Sequence, residues 1–249
     1  MTLRNAIPVG LAFVLFLVAW QAVIQVGGFP PFILPPPAAV AERFVEAWRD
    51  GLMTPHAVAT LREIVAGFVV GAALAVAAGY ALARSRVVER ILSPYLVAAQ
   101  ATPILALAPL LALWFPEGLT SKVVICALIV FFPIAVATMV GVRSVDAGLL
   151  ELGRSLRATR RQVFVTLEIP AALPSILGGM RVGVTLAVVG AIVAEWAGAE
   201  RGLGVLINLA RGSLFDTPLL FATLLTIALI GVGLYVVVVL VERRLVGTR

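Results

Sequence analysis

Six apolar runs, each about as long as a bilayer is thick, recur along this chain, and most of its arginines lie between them. They fall at about 7–26, 61–83, 96–115, 122–142, 173–196 and 219–241. A helix rises about 1.5 Å per residue, so about 20 apolar residues cross about 30 Å of hydrocarbon. Inside lipid every backbone N–H and C=O needs a partner from the chain itself, which leaves helices or closed barrels. Runs of this length without alternation specify helices. The sequence therefore predicts an all-α integral membrane protein of about six transmembrane helices, with residues 1–249 as one domain. Composition agrees: 61% of residues are hydrophobic and 13% charged, where soluble domains have about 45–50% and about 25%. Arg4 precedes the first run and no small-residue cleavage site follows it, so the first run reads as an uncleaved span.

Taken in order, Pro30, Pro31, Pro35, Pro36 and Pro37 end the first span, because proline removes a donor and cannot continue a helix. Residues 38–50 place Val40, Phe44, Val45 and Trp48 near helical spacing, which predicts a short helix on the membrane surface. The second span carries Gly67, Gly71 and Gly79, small residues that allow close helix contact. The third holds Pro103 and Pro109 and should bend or break. Pro116-Glu117-Gly118 reads as a turn, and Pro133 lies inside the fourth span. Residues 197–218 have too many glycines and charges to cross lipid and predict a surface or re-entrant helix.

Cationic residues sort the connections by side. With an even number of spans the termini share a side, and 13 of the 19 Lys and Arg residues fall there, Arg181 included. That side is expected to be the cytoplasm.

Much chemistry is excluded. The sole lysine, Lys122, follows Ser121, so no phosphate-binding GxxxxGK[ST] loop exists. One histidine, His56, and one cysteine, Cys126, do not make a zinc site. His56 reads as a solvated residue beside a surface helix, and Cys126 as a small core residue. No catalytic residue, resident cofactor or metal is expected, and the net charge of +6 is juxtamembrane rather than a sign of nucleic acid. Uphill work would draw energy from a partner or an ion gradient.

The longest polar stretch is the loop 143–172 and its exit to Pro174, with Arg154, Arg157, Arg160 and Arg161. It reads as two short helices. Glu151 is placed in the first turn of one, where a carboxylate offsets the helix dipole. Leu149, Leu150, Leu156, Val163 and Phe164 form an apolar ridge. Such a helix either docks in a groove of another protein or anchors the spans; the residues alone leave both open.

Glu151-Leu152-Gly153, followed by Ile169-Pro170 and Leu173-Pro174, resembles the EAA loop of bacterial ABC importer permeases. Leu34-Pro35-Pro36-Pro37, Thr60-Leu61-Arg62, Ala66-Gly67-Phe68, Leu110 to Phe115, Phe132-Pro133, Gly141 to Asp146 and Gly202-Leu203-Gly204 are similar to the nitrate, sulfonate and taurine branch. The resemblance covers about Phe29 to Arg244. It implies the type I ABC importer permease fold, with 143–172 as a cytoplasmic coupling loop. Glu151, Leu152, Gly153, Leu156, Arg157, Ala158, Ile169, Pro170 and Pro174 would then engage the ATPase. The implied partners are two ATPase subunits that bind ATP and Mg, a second permease copy forming a homodimer, and an extracytoplasmic solute-binding protein. The implied location is the bacterial inner membrane, multi-pass, with both termini cytoplasmic. Two positions depart from the family pattern: Leu152 replaces a small alanine, and Arg157 stands where glycine makes the turn.

Polar residues within spans usually face a bundle interior. Gln100, Thr102, Thr138, Thr185, Glu195 and Trp196 are the candidates for a translocation pathway, while Arg181 is expected to snorkel to the inner surface. The stretch Val188 to Gly204 resembles permeases for riboflavin or for pyrimidine precursors of thiamine, and a tryptophan beside an acid suits a flat ring. Nitrate, sulfonate or taurine is the alternative cargo. An ion-coupled secondary transporter is a further alternative, though no internal repeat of the kind such proteins carry is evident.

Overall fold

The computed structural model describes residues 3–115 and 118–247, and every regular element among them is helical. The helices are α1 (Leu3–Gly27), α2 (Pro37–Arg49), α3 (Met53–Arg84), α4 (Arg86–Ala101), α5 (Ile104–Trp114), α6 (Leu119–Arg143), α7 (Ala147–Ser155), α8 (Arg160–Val163), α9 (Ile169–Gly198), α10 (Leu203–Gly212) and α11 (Thr217–Val246). A π-helical turn, Phe164–Glu168, joins α8 to α9. The expected turn at Pro116 and Glu117 lies outside the described residues.

Helices α3, α6 and α9 form the body. They approach closely because small residues line their seams. A Cβ at Gly71 of α3 would stand 2.7 Å from the Ala127 carbonyl oxygen of α6, and one at Gly183 of α9 would stand 2.8 Å from Ile134 Cδ1. The contacts also fix direction. Gly67 meets Cys126 and Gly79 meets Thr138, so α3 and α6 run parallel. Gly190 meets Cys126 and Gly141 meets Ala172, so α9 runs against α6.

That parallel arrangement settles how the third crossing is made. Five helical stretches are long and apolar enough to span a membrane, and the region 96–115 is not among them. Yet α3 and α6 are parallel, so residues 86–115 must carry the chain back from one end of the body to the other. They do so as two helices broken at Thr102–Pro103. The sequence expectation of one span at 96–115 is corrected to a broken crossing. Pro103 forbids the helical conformation at Thr102, whose ψ is 123°.

The ends also move. The second span begins at Met53 rather than near 61, because its first two turns pack into an end cap instead of lipid. Ala47 of α2, Met53 and Ala57 of α3, Leu203, Leu206 and Ala210 of α10 and Leu219 of α11 form that cap's core. Arg43 Nε donates to Asp216 Oδ2 at 2.7 Å and ties α2 to the cap residue of α11. By contrast no residue of α1 between Gly10 and Gly27 is buried, and the helix touches α11 through Trp20 and Phe221, whose rings stand 5.5 Å apart.

Candidate functional site

At the α2–α10 end, polar residues converge on the loop between α9 and α10. Glu195 is 2% exposed. Its carboxylate accepts hydrogen bonds from the Thr60 hydroxyl and from the Gly204 amide. Thr60 Oγ1 accepts in turn from the Leu203 amide at 2.8 Å. His56 Nδ1 lies within hydrogen-bonding distance of the Gly202 carbonyl (2.8 Å) and amide (3.1 Å). The loop passes so close that a Cβ at Gly202 would overlap the Glu195 carboxylate, and Gly202 holds φ +147°, a conformation that favours glycine. Trp196 Nε1 donates to the Gly204 carbonyl at 3.0 Å.

Two sequence expectations change here. His56 is buried and bonded, not solvated. Glu195 faces the chain's own loop rather than an open path. The remaining pathway candidates do not come together. Thr138 is buried and donates to the Ile134 carbonyl at 2.7 Å; Thr185 donates to Val182 at 2.8 Å and Thr102 to Ala98 at 2.9 Å. These are bonds within each residue's own helix. The Gln100 side chain lies outside the described residues. Arg181 is paired with Glu242 of α11 at 3.0 Å instead of simply reaching the surface.

The same end holds a cavity of about 900 Å³, lined by Pro109 of α5, Ser121 and Lys122 of α6, Glu63 of α3, and Glu200 and Arg201. Lys122 Nζ stands 3.3 Å from Glu63 Oε1, and both groups are almost buried. Glu63 Oε2 accepts no hydrogen bond from the described residues. The sequence reading missed Glu63 and gave Lys122 no role. The available signal was a pair of opposite charges, Glu63 and Lys122, each at the start of an apolar run.

At the opposite end, α6 passes through Ser144 and Val145 into α7. Asp146 caps α7 by accepting from the amides of Gly148 (2.7 Å) and Leu149 (3.2 Å). The dipole-offsetting acid is therefore Asp146; Glu151 sits in mid-helix and is exposed. The helix ends in a Schellman motif: the Arg157 amide donates to Arg154 O and the Ala158 amide to Gly153 O, both at 2.9 Å. This turn requires a left-handed residue, and Arg157 supplies it at φ +54°. The arginine thus keeps the glycine-type geometry at a cost of about 1 kcal/mol. Thr159 and Gln162 then form a reciprocal capping box that starts α8.

Gly153 is the buried residue of α7, facing Val163 and Leu167. The flank beside Gly153 is exposed, and Leu149, Leu152 and Leu156 lie along it at 47%, 55% and 73%. The apolar ridge is this triplet; Val163 and Phe164 turn inward and Leu150 is half-buried. The chain from Arg160 to Gly198 runs on without interruption through Pro170 and Pro174. Proline at the first turn of α9 is tolerated because its missing donor has little to bond there, and the π turn just before it shifts the register. Ile169, Pro170 and Pro174 are exposed along this exit. Beside the loop, Arg143 grips Glu89 with both nitrogens (2.7 and 2.6 Å), which holds that carboxyl below its ordinary pKa.

A bundle of crossing helices with small-residue seams and an exposed amphipathic hairpin at one end is the architecture of a membrane transport subunit. The chain belongs to the binding-protein-dependent transport system inner membrane component family, whose model matches residues 67–247. It is an ABC importer permease subunit of a multi-pass membrane type. Among its relatives, the riboflavin transport system permease protein RibX of Chloroflexus aurantiacus is 47% identical over 97% of this chain and 90% of that protein. The formylaminopyrimidine transport permease protein ThiX of Halalkalibacterium halodurans is 36% identical over 92% of this chain and 90% of its own. The taurine transport system permease protein TauC of Escherichia coli is 32% identical over 92% and 85%. A chain in the crystal structure of an amino acid ABC transporter with histidines shares the fold, with TM-score 0.64 at 19% identity over 81% of this chain and 97% of that one.

Proposed function

We propose that this permease imports a heteroaromatic vitamin or vitamin precursor, riboflavin before a thiamine pyrimidine, at the expense of ATP hydrolysed by a separate subunit. The observation that carries the substrate is the near full-length match to a relative named for riboflavin, well above the match to the one named for taurine. The observation that carries the energy source is the exposed Leu149–Leu152–Leu156 face of α7, an apolar stripe in a hairpin that otherwise bristles with arginine. A stripe of this spacing fits a groove on a protein partner. In this reading Glu151, Leu152, Leu156, Arg157 and Ala158 meet the ATPase, which alone binds ATP and Mg. Gly153, Ile169, Pro170 and Pro174 shape the hairpin and its exit. The cation excess places the hairpin and both termini in the cytoplasm. The cavity beside Glu63 and Lys122 then opens outward, where a solute-binding protein delivers the ligand. A second permease copy completes the pathway.

Taurine or another sulfonate is the second reading; the cavity carries both bases, Lys122 and Arg201, and acids, Glu63 and Glu200, which suits a zwitterion such as taurine. Glu195 does not weigh against an anion, because its carboxylate is engaged by the chain's own loop. Uptake of radiolabelled riboflavin, formylaminopyrimidine and taurine by cells carrying the whole transporter separates the readings. Riboflavin or the pyrimidine should accumulate and require ATP. Accumulation of taurine alone would move the assignment to the sulfonate branch, and uptake driven by an ion gradient without ATP would sink the importer reading.

A further inference from the structure

The α7–α8 hairpin is held to the body at few places. Among the described residues no spanning helix packs extensively on α7. Its exit, however, is clamped. Glu168, the last residue of the π turn, has a side chain only 5% exposed. Arg84 Nη1 donates to its Oε1 at 2.6 Å and Tyr80 Oη donates to its Oε2 at 2.9 Å. Both donors come from the last two turns of α3. The Phe164 ring, at the start of the same π turn, meets the Tyr80 ring edge-on at 5.0 Å. The two ends of the π turn are thus fixed to one patch of α3.

π turns are uncommon, and their widened hydrogen-bond pattern makes them natural flexing points in a helix. Between α8 and α9 an unclamped π turn would let the hairpin swing while the span stayed still. Swinging also carries a penalty here, because Glu168 would leave α3 and strand a buried carboxylate without its two donors. We infer that Glu168, through Arg84 and Tyr80, is a positioning residue that makes the hairpin, α9 and α3 move as one body, so that force on α7 reaches two crossing helices instead of being absorbed at the turn. The inference rests on the reading that α7 receives the ATPase.

The test uses the complete transporter in proteoliposomes, with ATPase and binding protein, and reads riboflavin, formylaminopyrimidine and taurine uptake beside ATP hydrolysis. Glu168→Gln should lower solute moved per ATP hydrolysed by about tenfold, a typical size for a lost coupling, with the ATPase still bound. Tyr80→Phe should cause a smaller fall. Arg84→Glu alone should uncouple, and Arg84→Glu combined with Glu168→Arg should recover most of the ratio. A purely structural role would lower uptake and hydrolysis together and leave the ratio intact; that result, or an unchanged ratio in Glu168→Gln, overturns the inference. Wild-type transporter that moves none of riboflavin, formylaminopyrimidine and taurine with ATP would overturn the proposed function as well, and that failure shows before any variant is made.

Discussion

At one end of the body, His56, Thr60 and Glu195 stitch a glycine loop down through buried hydrogen bonds, with α2 and α10 packed across the top. At the other end, α7 buries Gly153 and presents leucines to the surroundings. Both ends are loops between spans, and both carry apolar side chains. In the first, Ala47, Met53, Leu203 and Leu206 are spent on the chain's own core, and the exposed Leu214 and Phe215 lie in the loop beyond α10 rather than along a helix. In the second, leucines spaced along α7 remain available. A loop that leaves a leucine stripe uncovered is unfinished until a partner covers it.

The comparison breaks first at Glu195. Glu195→Ala leaves the buried Gly204 amide without its acceptor, while the Thr60 hydroxyl keeps the His56 carbonyl at 3.1 Å. A stranded donor costs about 1–3 kcal/mol, so the variant should lose about 2 kcal/mol and melt below wild type in detergent. An unchanged melting temperature would show that the stitched end is not stitched by this residue. Next comes Gly153. A Cβ there meets Leu167 and Val163 at 3.7 Å, ordinary contact, so Gly153→Ala should fold normally. Gly153→Leu overpacks the hairpin by about 1–3 kcal/mol and should abolish ATP-driven uptake while the protein stays in the membrane.

The exposed stripe comes next. Leu152→Asp with Leu156→Asp should leave thermal stability within about 0.5 kcal/mol, as surface changes do. Capture of the ATPase should fall about tenfold or more, as for central apolar contacts of an interface. A stability loss without a capture loss would mean that the stripe packs on the chain itself. The smallest effect is at Arg157. Arg157→Gly relieves the left-handed strain and should stabilise the hairpin by up to about 1 kcal/mol, visible as slower proteolysis of the loop.

Much of this architecture was legible from hydropathy, because twenty apolar residues in a row have few other uses. What hydropathy cannot mark is a helix end that leaves lipid for a protein cap. That is why the turns holding His56 and Thr60 were assigned outside the second span. The break at Thr102–Pro103 was written in the prolines, but whether the chain still crossed depended on α3 and α6 being parallel, a fact of packing. In the loop, the pattern around Glu151 to Gly153 identified the hairpin and flagged Arg157, and the left-handed turn survives there. Its inner and outer faces were only partly separable, since Leu150, Leu152 and Val163 all look apolar until Gly153 chooses the buried side. Tyr80, Arg84 and Glu168 were invisible as a group, because residues 80 and 168 meet only once α3 and α9 are packed.

The central claim is that the uncovered end is covered by the ATPase. Cys126 is fully buried, so one introduced cysteine can serve as a unique handle. Leu156→Cys on α7 and Leu214→Cys beyond α10, both exposed, are treated in native membranes with a permeable bifunctional maleimide–amine crosslinker. The account predicts that Leu156→Cys yields a product containing permease and ATPase, shielded from an impermeant thiol reagent added outside, while Leu214→Cys yields no such product and reacts with that reagent. ATPase captured by Leu214→Cys and not by Leu156→Cys would contradict it.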